Sequence, residues 1–318
     1  MGNKVEIEVV AYGGWKNNLL LRNGEAEALI TLDVGPRILR YGPAGGTRNL
    51  LGVMEDQLGK SGESSWIIRG GHRLWTSPED PARTYAIDNA TVTHAMEGEQ
   101  VVVTAPPDPS QLERKMAVSL SSTGSRLRIE HTVTNQGTTA RPISVWALTI
   151  MPRGGTGLIP LPEKVHHPEG AANATAEDFG PQFSMSLWPY FSFDDKRWSF
   201  REQMIRVSQQ ENVAATKIGL RLTEGWVGYV QNGFLFVKTV PNIKSAVYPD
   251  SGCNFECYTD SHILELETLS PLVNLAPGAS FTHTEHWAFF PVANGVIENM
   301  PDEKFRSEWL PRIRSALA

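Results

Sequence analysis

The chain is short of the features by which many protein classes are recognised. Two cysteines in 318 residues, Cys253 and Cys257 in SGCNFECYTD, give no disulfide framework. In an extended strand they would stand about 13 Å apart, beyond the reach of a disulfide. No second cysteine pair or clustered histidine follows at zinc spacing, so two plain buried thiols are expected and a structural metal is not. The histidines are scattered. His166 and His167 fall in a loop-like stretch and HTEH sets His283 and His286 three apart, but no His-x-His or His-Glu-x-x-His pattern occurs, so a catalytic metal is not expected either. Gly-x-Ser-x-Gly elbows, Gly-Lys-Ser/Thr phosphate loops and dinucleotide fingerprints are missing, which argues against serine hydrolases of that type, NTPases and Rossmann enzymes.

Basic runs are also missing. With 35 acids against 29 bases and a net charge of -6, the chain lacks the long-range attraction that nucleic acid or an anionic membrane requires, and neither is an expected partner. No stretch of about 18 apolar residues is present, and MGNKVEIEVV carries neither an apolar signal core nor an arginine-rich amphipathic pattern. A soluble, cytoplasmic protein is expected.

What is abundant is period-2 patterning. EALITLDV, QVVVTAP, RKMAVSL, RLRIEHTVTNQ, GWVGYVQN, GFLFVKTV and HILELETL alternate or run apolar between Gly, Pro, Asn and Asp breakers. Long amphipathic helices do not separate them, so the pattern predicts an all-β antiparallel sandwich rather than βαβ units. The breakers are spread evenly, so one domain over residues 1–318 is expected. Helical signal is confined to DEKFRSEWLPRIRSAL, where Phe305, Trp309 and Ile313 follow at i, i+4 and i+8. It predicts a short C-terminal helix capped by Asp302 and broken or kinked at Pro311. Residues 42–65 and 161–187 read as long surface loops, where binding often resides.

Three constellations could carry chemistry. In WIIRGGHRLWTSPED, Gly70 and Gly71 allow a sharp turn that would present His72, Arg73 and Trp75 outward together. Arginine grips paired acceptors such as vicinal hydroxyls, a carboxylate or a phosphate, and tryptophan offers a flat apolar face, a mixture that suits a sugar ring. The alternative is a buried arginine tied to Glu79 or Asp80 with the tryptophans in the core. In DSHILELETLSPLVNLAPG, Glu265 and Glu267 share one strand face, either as edge residues in water or as a general base with a partner in a concave sheet. YPDSGCNFEC gives Asn254 and Glu256 the same spacing, so two neighbouring strands could line one polar hollow. SLWPYFSFDDKRW, followed by Lys217, reads as a stacking platform at Trp188-Pro189-Tyr190 or as a core tryptophan beside a turn holding Asp194, Asp195 and Arg197.

The series LDVGPRILRYGPAGGTRNLLG, IRGGHRLW, LRIEHTVTNQGTTARPISVWALTIMPRGG and LELETLSPLVNLAPGASFTHTEHWAF resembles the galactose-mutarotase-like superfamily over nearly the whole chain. LWPYFSFDD, KIG, GW-x-x-Y, YPD-x-GCNFE-x-YTD and ELETLSPL are similar to a branch known as a domain of unknown function. The resemblance implies an antiparallel β-supersandwich that binds a sugar in a groove on one sheet. In such mutarotases a glutamate on a C-terminal strand takes the anomeric hydroxyl proton while a histidine protonates the ring oxygen, and no cofactor is required. Arg69-Gly70-Gly71 matches the rim Arg-Gly-Gly of the hexose-6-phosphate relatives. Their base lies ten residues before the leucine of Leu-x-Pro-Gly, which from Leu275 lands on Glu265, with Glu267 beside it. The strand histidine is replaced in SVWALT, where Trp146 stands, so His72 becomes the candidate acid.

The sequence therefore predicts an aldose 1-epimerase-like protein acting on a hexose or acidic sugar. Glu265 and His72 are its expected catalytic residues, and Arg69, Arg73, Trp75, Trp188, Lys217, Glu256 and Glu267 its expected substrate-binding residues. A non-catalytic sugar-binding module, or a lyase or epimerase acting on uronates, is the alternative.

Overall fold

The computed structural model describes residues 4–46, 48–165 and 174–318; His166 and His167 lie outside them. Two antiparallel sheets, one of eleven strands and one of ten among the described residues, pack face to face as a β-supersandwich. The first sheet runs in the order Glu6–Tyr12, Trp15–Arg22, Ala26–Thr31, Arg37–Pro43, His72–Ser77, Arg141–Met151, Leu264–Leu269, Phe255–Thr259, Thr216–Leu220 and Met185–Leu187, and Val273–Leu275 also pairs with Arg141–Met151. The second is centred on Trp226–Gln231, Phe234–Thr239, Ser280–Pro291 and Leu127–Asn135.

Alternation explains most strands. In Leu127–Asn135, LRIEHTVTN is buried at every odd position and half-buried at every even one, as expected where one face meets the core and the other meets water. The inter-sheet core gathers Leu74, Val145 and Leu266 from the first sheet and Ile129, Phe236 and Trp287 from the second. His72–Ser77 and Leu264–Leu269 behave differently: every residue in both is buried, polar ones included. An antiparallel strand buried on both faces needs a cover on its outer side, and in this sheet that cover lies over polar side chains.

The Gly-Gly step is dictated by close packing. Gly71 adopts φ 72°, and a Cβ there would sit 2.2 Å from the Ile38 carbonyl oxygen; at Gly70, with φ 88°, it would sit 2.4 Å from that of Gly52. The chain thus threads between two neighbouring backbones before entering the His72–Ser77 strand.

The C-terminal helix, Asp302–Leu317, packs Phe305, Trp309, Leu310, Ile313 and Leu317 against Trp226, Leu235, Val237 and Ala288 on the outer face of the second sheet. Two expectations are corrected here. Pro311 lies inside the helix without ending it, and the N-cap is Pro301. Asp302 sits in the first turn, where its carboxylate accepts from Arg206 at 2.9 Å. Cys253 and Cys257 are buried free thiols, as expected. Among the described residues no helix is long and apolar enough to cross a membrane.

Candidate functional site

Strand register builds the site. Trp75 lies opposite Trp146 and Arg73 opposite Leu148; across the next ladder Leu148 faces Glu267 and Ile150 faces Glu265. Glu256 lies opposite Glu267, and Tyr258 opposite both Glu265 and Lys217. Directly paired residues share a face, so period 2 brings Arg73, Trp75, Trp146, Lys217, Glu256, Glu265 and Glu267 to the outer face of the first sheet. These residues are separated by up to 194 positions in the chain.

They make direct contacts. Arg73 donates from Nη1 to Glu265 Oε1 at 2.7 Å, and its guanidinium lies 4.2 Å from the centre of the Trp75 ring and 5.5 Å from that of Trp66. The Lys217 ammonium lies 2.6 Å from Glu256 Oε2 and 3.0 Å from Glu267 Oε2. It is held between two indoles, 4.8 Å from the Trp146 centre and 4.7 Å from that of Trp188. Trp146 donates its indole N–H to Glu267 Oε2 at 2.9 Å. Trp66, Trp75 and Tyr85 close one side as an aromatic wall with ring centres 5.0 to 5.6 Å apart.

Exposure is 1% at Glu256 and Glu267, 2% at Arg73 and 6% at Glu265. Three carboxylates face two cations in this cover. Burial pushes the Glu256 carboxyl well above the usual carboxylate range against the pull of Lys217, with the nearby Glu267 and Asp250 adding to the rise. Glu267 is raised too, by burial and by Glu265, again against Lys217. For Lys217 burial works toward neutrality, but Glu267 and Glu256 outweigh it and hold the ammonium charged. Four buried polar atoms here are unpartnered: Glu256 Oε1, Glu267 Oε1, Arg73 Nε and Trp66 Nε1. The cluster therefore offers acceptors and donors to a molecule bearing both. A hollow of about 1080 Å³ elsewhere, lined by Lys4, Glu6, Met96, Arg126 and Arg128, contains none of these groups. Converging charge and unpartnered buried atoms mark the outer-face cluster as the better candidate.

Two expected site residues lie elsewhere. His72 points to the opposite face from Arg73, into the inter-sheet core, with Nε2 2.6 Å from His131 Nε2 and Nδ1 2.9 Å from Thr149 Oγ1. The reason is alternation: adjacent residues of one strand cannot share a face, so His72 is not placed as the acid partner of Glu265. Arg69 adopts φ 49° and turns into the loop beneath Trp15, donating to Asn89 and to Glu63, each at 2.6 Å. The tie of a buried arginine of this stretch to Glu79 or Asp80, the alternative reading, does not form: Arg69 pairs with Glu63 and Arg73 with Glu265. Trp66, Tyr85 and Trp146 join the cluster without having been singled out as binding residues. Trp146 was legible from its register with Trp75 once the strands were paired.

The core polar cluster around His72 also contains Lys238, Glu285 and His283. Burial depresses all three imidazoles, His283 to about 3, and so holds them neutral. His72, His131 and Glu285 bring ligand-type atoms within 4.8 Å of one another. The Lys238 ammonium, 2.8 Å from Glu285 Oε1, already supplies the cation there; a divalent ion would have to displace it.

No protein-family model and no curated protein matches the chain. Solved structures do. A putative aldose 1-epimerase from Escherichia coli K12 superposes with a TM-score of 0.52 at 12% identity, covering 86% of this chain and 98% of the other. A galactose mutarotase-like protein from Lactobacillus casei gives 0.54 at 9% identity, covering 86% and 100%. A galactose mutarotase-like protein from Clostridium acetobutylicum gives 0.50 at 10%, covering 92% and 99%. The fold is galactose mutarotase-like. In this fold the candidate cluster occupies the outer face of the first sheet, and the side of that sheet facing the core is filled by packed residues.

Proposed function

We propose that this protein binds a sugar ring over the Arg73–Glu265 and Lys217–Glu256–Glu267 cluster and exchanges its anomers, with Glu265 as the base. The observation that carries the reading is the convergence of three carboxylates paired to two cations and a run of indole rings on one face, with four buried polar atoms left unpartnered. A sugar offers C–H faces to indoles and hydroxyls to carboxylates and guanidinium, which suits both halves of the cluster. Glu265 is the least buried of the three glutamates and pairs with Arg73 at 2.7 Å, which fixes its carboxyl on the face where a ring would lie.

The charge balance favours an uncharged hexose over an acidic sugar. Arg69 serves the loop, and Arg73 and Lys217 are each matched by carboxylates, so no unpaired cation of the cluster is left for an anionic group. Uronate lyase or epimerase chemistry loses its support with them. A non-catalytic binding module is the second reading, favoured by Trp146 standing where the resemblance calls for a histidine.

Magnetisation transfer between α and β anomeric protons over a panel of free sugars tests the proposal. The expected result is acceleration of at least one sugar and a loss of roughly 100- to 10,000-fold in Glu265→Gln. Full activity in the variant would remove Glu265 as the base. Sugar affinity with no acceleration in either protein would leave the binding module.

A further inference from the structure

We infer that Glu256 is the proton donor of this site, a carboxylic acid standing in for the missing strand histidine and delivering its proton to the ring oxygen. This rests on the anomer-exchange reading of the same cluster.

Charge and geometry lead there. Arg73 and Lys217 bring two positive charges to a covered cluster in which Glu256, Glu265 and Glu267 would bring three negative ones. One proton on one carboxyl balances these five groups and lowers the cost of burying a net charge, and Asp250 beside Glu256 adds a further negative charge that favours the proton there. The three candidates are not equivalent. Glu265 pairs with Arg73 at 2.7 Å. Glu267 Oε2 accepts from both Lys217, at 3.0 Å, and the Trp146 indole, at 2.9 Å, and two donors on one oxygen favour the anion. Glu256 has Lys217 alone on its Oε2, one donor fewer than Glu267, and its Oε1, like that of Glu267, is buried and without a partner. A proton on that Oε1 would have no acceptor within the protein, so it is the one left for a ligand seated against this carboxyl. The upward shift of Glu256 by burial agrees with this assignment.

Placement suits the role. Glu256 lies directly opposite Glu267 and diagonal to Glu265, whose own cross-strand partner is Tyr258. Diagonal neighbours on one face stand about 7–8 Å apart at the backbone, so two carboxyls can reach different oxygens of one ring. Two other donors are poorly placed: His72 is on the opposite face, and the Tyr258 hydroxyl is directed to Asp260 at 3.1 Å.

The step balances without a co-reactant. Glu265 accepts the proton of the anomeric hydroxyl, the electron pair of that O–H bond forms the carbonyl, and the bond from the anomeric carbon to the ring oxygen breaks. The ring oxygen takes the released pair and the proton of Glu256. Rotation about the bond from the carbonyl carbon to its neighbour and reversal of the steps give the other anomer, with both glutamates restored.

The test uses the whole protein labelled with ¹³C at the glutamate side-chain carboxyl. At neutral pH one carboxyl resonance should hold the shift of a protonated acid, and it should vanish in Glu256→Gln. Absence of that resonance, or its persistence in the variant, overturns the assignment. With any sugar that the wild type accelerates, Glu256→Gln should lower kcat/KM roughly 100- to 10,000-fold and abolish the decline in rate at alkaline pH. A wild-type rate and profile in the variant overturns the role. If the wild type accelerates no sugar, the anomer-exchange reading falls and the acid role with it, while the carboxyl resonance still decides separately whether Glu256 holds a proton. Melting by circular dichroism checks that the variant is folded.

Discussion

Replacing Lys217 by Met probes how the covered carboxylates are tolerated. Methionine keeps most of the stem between the Trp146 and Trp188 rings but removes the ammonium from Glu256 at 2.6 Å and Glu267 at 3.0 Å. With an effective dielectric of about 20, Coulomb's law gives on the order of 6 kcal/mol of attraction for the ionised Lys217–Glu267 pair at 3.0 Å, while Glu256, which holds the proton, adds a hydrogen bond. The cost of burying the ammonium offsets much of this, and breaking a buried pair from one side destabilises by about 3–5 kcal/mol. For a chain of this length that corresponds to a fall in Tm of roughly 5–8 °C. The loss should depend on pH. In the variant the carboxyls lose their cation and their folded-state values rise further, and a raised carboxyl contributes stability at low pH that is lost as pH climbs through its folded value. Denaturant unfolding at about pH 5 and about pH 8 should therefore show a small deficit at the lower pH and the full deficit at the higher. A deficit under about 1 kcal/mol, or one equal at both, would refute the view that Lys217 neutralises this cluster.

The same sign applies to Glu256 in the wild type: its raised value predicts that stability declines as pH rises through that value, and Glu256→Gln should flatten the decline in denaturant midpoints. Gly71→Ala should destabilise by at least about 1–3 kcal/mol, because the new Cβ meets the Ile38 carbonyl at φ 72°. Gly154→Ala, with φ 81° but nothing within 4 Å, isolates the conformational part alone at about 1–2 kcal/mol, and equal losses in the two would contradict the packing argument.

The β architecture was legible because strands such as LRIEHTVTN carry their burial pattern in the alternation itself. Period 2 also placed Glu265 with Glu267 before any pairing was known; Asn254, grouped with Glu256 by the same spacing, lies outside the Phe255–Thr259 strand and bonds the Leu222 and Pro241 backbone instead. The same rule, applied to HRLWTS, separates His72 and Leu74 from Arg73 and Trp75; treating the stretch as an outward turn missed that separation. Arg69 was not legible, since its left-handed backbone at φ 49° and its loop partners Glu63 and Asn89 are set by tertiary packing. The polar core of His131, His283, Lys238 and Glu285 was hidden for a related reason: alternation predicts an inward side chain but not that the facing strand supplies its partner. Pro311 misled because packing of Phe305, Trp309 and Ile313 on the second sheet outweighs the local cost of proline in a helix.

The central claim is that a sugar ring seats on the outer face of the first sheet. The nine tryptophans report on it directly, because Trp66, Trp75, Trp146 and Trp188 surround the cluster while Trp226 and Trp309 lie at the helix on the far side of the sandwich. Titrating free sugars into protein carrying ¹⁵N-labelled indoles should move the Trp146 and Trp188 resonances together and leave those of Trp226 and Trp309 in place. Shifts confined to Trp226 and Trp309, or no shift with any sugar of the panel, would contradict it.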